Sequence, residues 1–405
     1  MEISEAKTGV PYWQKVIVML CMGWIAIWIY RSALTPLFPE IQQSIGIHSN
    51  AQMGLISSCY FFGYTGMQIP AGILVDKLGR KIVLIPGFLI FAAAAFLIAK
   101  SGTLMTIYIG SFIAGLGCGS YYGSAYSLSS ECIPSERRGL STAIINSGSA
   151  VGMGIGLIGS SLLVKSVGLP WQMMMYICSI TILVMVLVFA RGIKSSVKSE
   201  KVEEQAVEKK KEKIKISSLF NIHMIASYLL YFGTCYSYYM IVTWLPSFLQ
   251  EERGFKGLAI GFSSALVAFA AIPGALFFSR LSDKFKEKKI SFILFLELAA
   301  AGMLFLVVKS PNATLLLIGL ILYGLLGKLA VEPIIISFIG DSASKENYGT
   351  TFGIFNFFGM SSSVLAPAIT GMISDSTGSK IMGFYIAAAI LVVTAIFFLI
   401  VNKKR

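Results

Sequence analysis

Apolar runs about as long as a lipid bilayer is thick recur along this chain, and they restrict its fold more than any other feature. Examples are Val16–Tyr30, Ile82–Ala99, Met173–Ala190 and Ile386–Val401. Roughly 20 apolar residues span the hydrocarbon core as a helix, because lipid cannot satisfy unpaired backbone groups. With 56% hydrophobic and only 13% charged residues, the chain is too apolar for ordinary soluble domains. We therefore predict an all-helical membrane protein.

Dividing the chain at these runs predicts about twelve spans. They lie near 13–37, 50–75, 81–100, 103–132, 138–164, 170–191, 220–249, 258–281, 289–309, 312–339, 348–374 and 381–401. The segment Arg191–Lys215 is rich in Lys and Glu, contains almost no large apolar residue and divides the spans equally. We thus expect one helical bundle over 1–191, a cytoplasmic linker over 192–217 and a second bundle over 218–405.

The net charge of +13 predicts an orientation in the membrane. Most of the 33 Lys and Arg residues fall on segments that are cytoplasmic if both termini lie inside. This is the positive-inside bias. It places the protein in the cell membrane with both termini in the cytoplasm. It also accounts for the basic excess without a nucleic-acid partner.

Several classes of function are not expected. The six cysteines fall within or at the ends of predicted helices, no CxxC occurs, and the two histidines, His48 and His223, are far apart. We therefore expect no disulfide, no metal site and no cofactor. No nucleophile–base pair or phosphate loop is present, so we do not expect an enzyme. The first twelve residues lack a cleavage pattern, and we expect the first span to be retained.

A short charged turn occurs once in each half of the chain. Gly72–Lys81 lies between the second and third predicted spans, and Ser279–Lys288 lies between the eighth and ninth with its leucine, aspartate and lysine in register. Pro134–Gly139 provides a further charged turn after the fourth span. Turns repeated in this way indicate a duplicated transporter.

These turns resemble the loop motifs of the major facilitator superfamily over essentially the whole chain. The resemblance implies two six-helix bundles that rock around a central site. Further features are similar to the anion:cation symporter group and, more distantly, to organophosphate exchangers. They are Tyr30-Arg31 with Pro39, Gln68–Gly72, Thr243–Pro246, and Leu365–Pro367 with Gly371.

The resemblance implies a gate in the charged turns. The family's aspartate, here Asp76, faces the start of the eleventh helix near Gly349, where free N–H groups favour an anion. Arg80 would extend this network, and Gly72 would let the second and eleventh helices approach closely. Asp283 is the counterpart of Asp76 in the second half, where the motif is less complete. The alternative is a solvated turn that only fixes orientation.

Arg31 is our main candidate for the substrate. A guanidinium inside a span is costly unless it faces a watery cavity or an anion, and its planar fork suits a carboxylate or phosphate. The alternative is an arginine that reaches the headgroups. Lys328 and Glu332, four residues apart in the tenth span, form either a structural ion pair or a site where substrate competes for Lys328 and Glu332 takes up a coupling proton.

Other polar and aromatic side chains lie where the central cavity should be. Tyr238 and Tyr239 fall opposite Arg31 if the halves are related by duplication, and Asn146 and Asn356 form a repeat-related polar pair. Packing between helices is the alternative for all of them. The full set of expected substrate contacts is Arg31, Lys328, Tyr238, Tyr239, Tyr122, Tyr64, Asn146 and Asn356.

Two further acids have less functional interpretations. We expect Glu297, in the ninth span, to be packed or protonated, and Glu131 to belong to the charged turn with Arg137 and Arg138. Ser111 stands where many proton-coupled relatives carry an arginine, which weakens proton coupling by that route.

The sequence therefore predicts a monomeric secondary transporter for a small organic anion, a carboxylate or sugar acid, that works by alternating access. The coupling partner is H⁺, Na⁺ or an exchanged anion. Efflux of amphipathic compounds and a transporter-like receptor remain alternatives. The span with Gly148, Gly152 and Gly156 allows close helix packing but lacks the Gly-Pro pair of drug antiporters, which weighs against efflux.

Overall fold

The computed structural model describes residues 11–134, 137–194, 219–342 and 348–403, which are almost entirely helical. Twelve spans follow one another in this part of the chain. They are Tyr12–Ile45, Asn50–Leu78, Arg80–Ala99, Leu104–Cys132, Arg138–Ser160 with a π turn at Ser161–Ser166, Gln172–Gly192, Ile222–Glu251, Leu258–Lys284, Lys289–Lys309, Ala313–Leu326 with Lys328–Ser342, Tyr348–Thr377 and Ile381–Asn402. The predicted all-helical membrane fold is confirmed.

Ten of the spans are long and apolar enough to cross a bilayer by composition alone. The second span, Asn50–Leu78, and the seventh, Ile222–Glu251, are 29 and 30 residues long. Both carry tyrosine, serine and glycine among their apolar residues. Several of their side chains, among them Tyr60, Tyr64, Tyr238 and Tyr239, lie at the site described below.

Two spans differ from the predicted outlines. The first continues past residue 37, through a 3-10 turn at Thr35–Leu37 and a helix at Phe38–Ile45. Prolines at the start of each element are tolerated because those N–H groups have no helical partner. The tenth span is interrupted at Gly327, so that the helix Lys328–Ser342 begins in the middle of the molecule.

The duplication is visible in two ion pairs. Arg80 opens the third span and its Nη2 lies 2.5 Å from Oε2 of Glu131 in the fourth. Lys289 opens the ninth span and its Nζ lies 2.5 Å from Oδ2 of Asp341 in the tenth. The pairs occupy corresponding places in the halves, although alignment of the charged turns sets Arg80 against Glu287.

The halves meet closely at one face. Because the number of spans is even, both ends of the chain lie at one face of the bundle, the terminal face; we call the other the loop face. At the loop face Asp375 lies in the last turn of the eleventh span. Its carboxylate accepts hydrogen bonds from the backbone N–H of Asn50 (2.6 Å) and of Ala51 (3.0 Å) and from Ser49 Oγ (2.6 Å). The N-terminus of the second span, in the first half, is therefore capped by a carboxylate from the second half.

A second polar link joins the halves at the loop face. Lys165 Nζ lies 2.6 Å from Oε1 of Glu40, and it also donates to Oε1 of Gln250 in the other half at 2.5 Å. Gly371 allows the backbones to approach, since a Cβ there would lie 2.8 Å from Cα of Ala51. The loop face is thus closed by direct packing of the two halves.

Within the first half, the predicted glycine spacing does bring helices together. A Cβ on Gly152 of the fifth span would lie 2.9 Å from Cα of Ile25 in the first span. This contact is too short for any larger residue without backbone movement. It fixes the first span, and with it Arg31, against the fifth.

Candidate functional site

Arg31 lies near the centre of the bundle inside a ring of aromatic side chains. Its guanidinium carbon is 4.3 Å from the ring centre of Tyr64 and 5.0 Å from that of Trp28. Three further rings, those of Trp24, Tyr60 and Phe61, lie within 5.8 Å. Stacked faces of this kind stabilise a cation by about 1 kcal/mol each. The first and second spans together build this cage.

The guanidinium has hydrogen-bonding capacity to spare. Its Nε donates to Tyr60 Oη at 2.9 Å, and Nη2 contacts Sγ of Cys118 at 4.0 Å. No carboxylate of the described residues lies within 4.0 Å of Arg31. The site therefore holds a half-buried cation whose charge is screened by π faces rather than neutralised by an acid.

Lys328 approaches from the other half of the protein. It begins the helix that follows the break at Gly327, and its Nζ lies 2.8 Å from Oε2 of Glu332. The other carboxylate oxygen of Glu332 accepts a hydrogen bond from the hydroxyl of Tyr231. The exposed fractions of the Lys328 and Glu332 side chains are 10% and 23%. This ion pair is therefore largely, but not fully, desolvated.

Two aromatic side chains connect the cations. The ring of Trp28, which contacts Arg31, packs edge-on against Tyr238 with ring centres 6.4 Å apart. Lys328 Nζ lies 5.4 Å from the centre of the same Tyr238 ring. One arginine and one lysine, from different halves, thus face each other across a thin aromatic partition.

Tyr239 completes this partition from the seventh span, with its ring 4.8 Å from that of Phe61. The hydroxyls of Tyr238 and Tyr239 point to the sulfurs of Met153 and Met360 at 3.8 and 3.7 Å. Thioether sulfur is a weak acceptor. Both hydroxyls therefore have a poor partner that a better acceptor, such as a carboxylate, can replace.

Sequence reasoning did not select Tyr231 for the site, although this residue holds Glu332. It lies seven residues before Tyr238 in one helix, so two turns separate them and both face the same way. Its ring stacks on Phe355 with ring centres 3.8 Å apart. The seven-residue spacing between Tyr231 and Tyr238 is the sequence signal that could have identified it.

Three expected contacts make their closest described interactions with residues other than the two cations. Tyr122 is 40% exposed and packs on Tyr126, with ring centres 4.4 Å apart, and it interacts electrostatically with Tyr64 and Glu332. Asn146 lines a crevice between the first, fourth and fifth spans that also includes Trp24. Asn356 donates to Oε1 of Gln68 at 3.0 Å and so joins the eleventh span to the second.

The residues expected to form the gate are only partly described. The side chain of Asp76 lies outside the described part of the structure, and so do the surroundings of Gly349. Gly72 faces the fourth span: its Cα lies 3.5 Å from where a Cβ on Gly123 would be. A Cβ on Gly72 would meet no described atom within 4 Å, so its expected approach to the eleventh span stays a prediction. Asp283 is exposed.

Arg80 is 6% exposed and contacts both Glu131 and the carbonyl of Ser127, at 2.5 and 3.4 Å. Glu131 pairs with Arg80, and its expected contact with Arg138 stays a prediction because the Arg138 side chain lies outside the described residues. The guanidinium carbon of Arg137 lies 5.5 Å from the ring centre of Trp13.

Comparison with known proteins gives a consistent result. The sequence pattern of the Major Facilitator Superfamily matches residues 19–367. A probable sulfoacetate transporter, SauU, from Cupriavidus necator is 26% identical, the match covering 96% of this chain and 93% of that protein. The hexuronate transporter of Bacillus subtilis is 24% identical over 93% and 92%. A putative tartrate transporter of Agrobacterium vitis is 25% identical over 88% and 86%.

Solved structures agree on the fold. A bacterial homolog of the human lysosomal transporter Spinster, in an inward-facing and occupied conformation, superposes with a TM-score of 0.78. The match covers 98% of both chains at 14% identity. At this identity the likeness bears on the fold alone.

Proposed function

Because the chain belongs to the Major Facilitator Superfamily, we propose that it is a secondary transporter that carries a small organic anion, a carboxylate or sugar acid, across the cell membrane by alternating access. The names of its relatives support this substrate class, since they are described as transporters of sulfoacetate, tartrate and hexuronate. The observation that carries the proposal is Arg31, a cation at the centre of the bundle without an acidic partner among the described residues.

Arg31 binds the anionic group of the substrate. A carboxylate in the cage receives the free N–H donors of the guanidinium in a bidentate arrangement, which is the geometry that this side chain favours. Trp28, Tyr60 and Tyr64 exclude water around the ion pair and so strengthen it. The hydroxyls of Tyr238 and Tyr239 rotate away from their methionine partners to donate to the same group.

Lys328 assists from the second half. An anion that enters between the halves competes with Glu332 for the Lys328 ammonium, because both sit at the edge of the cavity. Glu332 released in this way is a carboxylate in a poorly solvated place and takes up a proton. Binding of substrate is thereby linked to binding of H⁺, which makes proton symport our preferred form of coupling over Na⁺ symport or anion exchange.

The terminal face is the cytoplasmic face, since the basic segments lie there. The loop face is then external, and it is closed in this structure by Asp375 and Lys165. Release of these two links opens the site to the outside. Asp76 with the start of the eleventh span at Gly349, together with Gly72, Arg80 and Asp283, forms the cytoplasmic gate in the opposite state. The protein works as a monomer, as each chain contains a whole site.

Uptake of labelled carboxylates and sugar acids into proteoliposomes tests the proposal, with pH and Na⁺ gradients applied separately. We expect uptake driven by an inward proton gradient. Anion transport that survives Arg31→Ala unchanged contradicts the site. Export of amphipathic compounds without anion flux supports efflux, and binding without flux under any gradient supports a receptor.

A further inference from the structure

A buried carboxyl group lies in the second half, away from the substrate site. Glu297 is in the middle of the ninth span, Lys289–Lys309, and its side chain is 1% exposed. Glu297 is the only charged residue between Lys289 and Lys309, the lysines that begin and end this helix. A carboxylate buried without a cation is unfavourable by several kcal/mol, as a charge leaves water without compensation.

The hydrogen bonds around Glu297 accommodate a protonated carboxyl group. Its Oε1 is hydrogen-bonded to Oγ1 of Thr234 in the seventh span, and the same Oγ1 lies 2.9 Å from the carbonyl oxygen of Leu230. A carbonyl oxygen can only accept, and a hydroxyl has a single hydrogen. If Thr234 donates to Leu230, the hydrogen between Thr234 and Glu297 must come from Glu297. In that arrangement the carboxyl group is protonated and donates to Thr234.

Among the described residues, no cation lies close enough to compensate the charge of an ionised Glu297. In the described residues no lysine, arginine or histidine nitrogen lies within 4.0 Å of it, and Lys328 is bound to Glu332. The other ionisable groups that interact with Glu297 are Tyr323 and Cys235, from the tenth and seventh spans. Both are neutral at physiological pH in the absence of an activating partner.

The twelfth span, Ile381–Asn402, also packs on the ninth and contains no charged residue. Its one ionisable side chain, Tyr385, packs against Phe305, two turns away from Glu297. Among the described residues, the ionisable groups that interact with Glu297 are therefore a hydroxyl and a thiol, and Lys328 of the tenth span is paired with Glu332.

We propose that Glu297 is a proton-binding site that stays occupied at neutral pH, and that the protonated acid joins the ninth span to the seventh by donating to Thr234. The site is distinct from Glu332, which pairs with Lys328. The seventh span carries Tyr231 and Tyr238, one turn to either side of Thr234. The proton on Glu297 therefore holds in place the helix that contacts both Glu332 and Lys328.

Infrared spectroscopy of the purified protein tests this without any substrate, so its result is independent of the transport proposal. A protonated carboxylic acid has a C=O stretch well separated from that of a carboxylate. An exposed glutamate loses its proton near pH ~4.3. We expect a carboxylic-acid band that persists at neutral pH, disappears in Glu297→Gln and remains in the control Glu332→Gln. Absence of such a band, or its loss in Glu332→Gln, overturns the proposal.

A second pair of variants keeps Glu297 and changes its partner. Thr234→Val removes the acceptor, so the C=O band should move to higher frequency, whereas Thr234→Ser keeps the hydroxyl and should leave the band in place. These variants carry the test if Glu297→Gln does not fold. A band that is unmoved by Thr234→Val overturns the assignment of the proton to the Thr234 contact.

Discussion

Oδ1 of Asp375 lies 2.6 Å from the backbone nitrogen of Asn50, so a residue in the last turn of a helix in one half caps the first turn of a helix in the other half. The interaction joins a negative charge to the positive end of a helix macrodipole. In the proposed alternating-access cycle, opening of the loop face breaks this contact. The contact therefore favours the closed conformation in that proposal.

Replacement of Asp375 by Asn should favour opening of the loop face. Loss of an anion at a helix N-terminus costs about 1 kcal/mol, which changes the ratio of closed to open molecules by about fivefold. Distances between spin labels on the exposed residues Gln43 and Lys256 of the two halves measure this ratio. Ser376→Ala, at the neighbouring exposed residue, should leave the distances as they are. Equal distributions for Asp375→Asn and the parent protein would contradict the role.

Arg31→Ala should weaken anion binding most among single changes. Truncation of one partner in a buried, charge-assisted pair costs about 3 kcal/mol, or roughly a hundredfold in Kd. Arg31→Lys keeps the charge but lacks the planar fork, and it should recover only part of the affinity. Lys100→Ala removes an exposed cation that lies on an aromatic ring at 5.3 Å and serves as a control. Calorimetric titration with the transported acid gives the values.

The ion pair of Lys328 and Glu332 predicts a compensating double variant. Lys328→Met alone leaves a buried carboxylate without its cation, and removal of one member of such a pair costs about 3–5 kcal/mol. Lys328→Met with Glu332→Gln removes both charges and should regain most of the thermal stability. Thermal unfolding in detergent measures both. Additive effects in the double-mutant cycle would show that the two side chains do not interact.

Glu332→Gln alone should separate binding from coupling. The amide imitates the protonated acid and leaves Lys328 free for the substrate. We expect anion exchange between the two sides of the membrane to persist, while accumulation driven by a proton gradient is lost. Counterflow and gradient-driven uptake in the same proteoliposomes distinguish these activities. Full gradient-driven accumulation by Glu332→Gln would exclude this residue as the coupling carboxylate.

Gly152 should tolerate no larger side chain. A Cβ at this position would lie 2.9 Å from Cα of Ile25, and overpacking of this kind costs about 1–3 kcal/mol. Gly152→Val should therefore lower the unfolding temperature. Gly302→Val is a matched control, because a Cβ on Gly302 meets no atom within 4 Å. Similar melting temperatures for the two variants would contradict the close approach of the first and fifth spans.

The sequence was sufficient to predict the spans and the duplication. The length and apolar character of a membrane helix are set by the bilayer, so they are readable without tertiary information. Arg31 was also found from the sequence, because a charged residue stands out within an apolar run. Lys328 and Glu332 were found in the same way, by their charge and four-residue spacing.

The remaining contacts of the site and of the gate depend on how the helices are rotated about their axes. The hydropathy of the sequence does not reveal this rotation. Tyr231 was one aromatic among many until the seventh span was seen to face Glu332. Asp375 lies just beyond the predicted end of the eleventh span, and its partners are backbone N–H groups that carry no sequence signal. The two-residue displacement of Lys289 relative to the aligned turn likewise appears only when the helices are in place.

The break at Gly327 has a mechanical consequence. A continuous helix transmits a tilt along its whole length, but the tenth span has a joint where the helix ending at Leu326 gives way to the one beginning at Lys328. The orientation of the segment that carries Lys328 and Glu332 is therefore set separately from that of Ala313–Leu326.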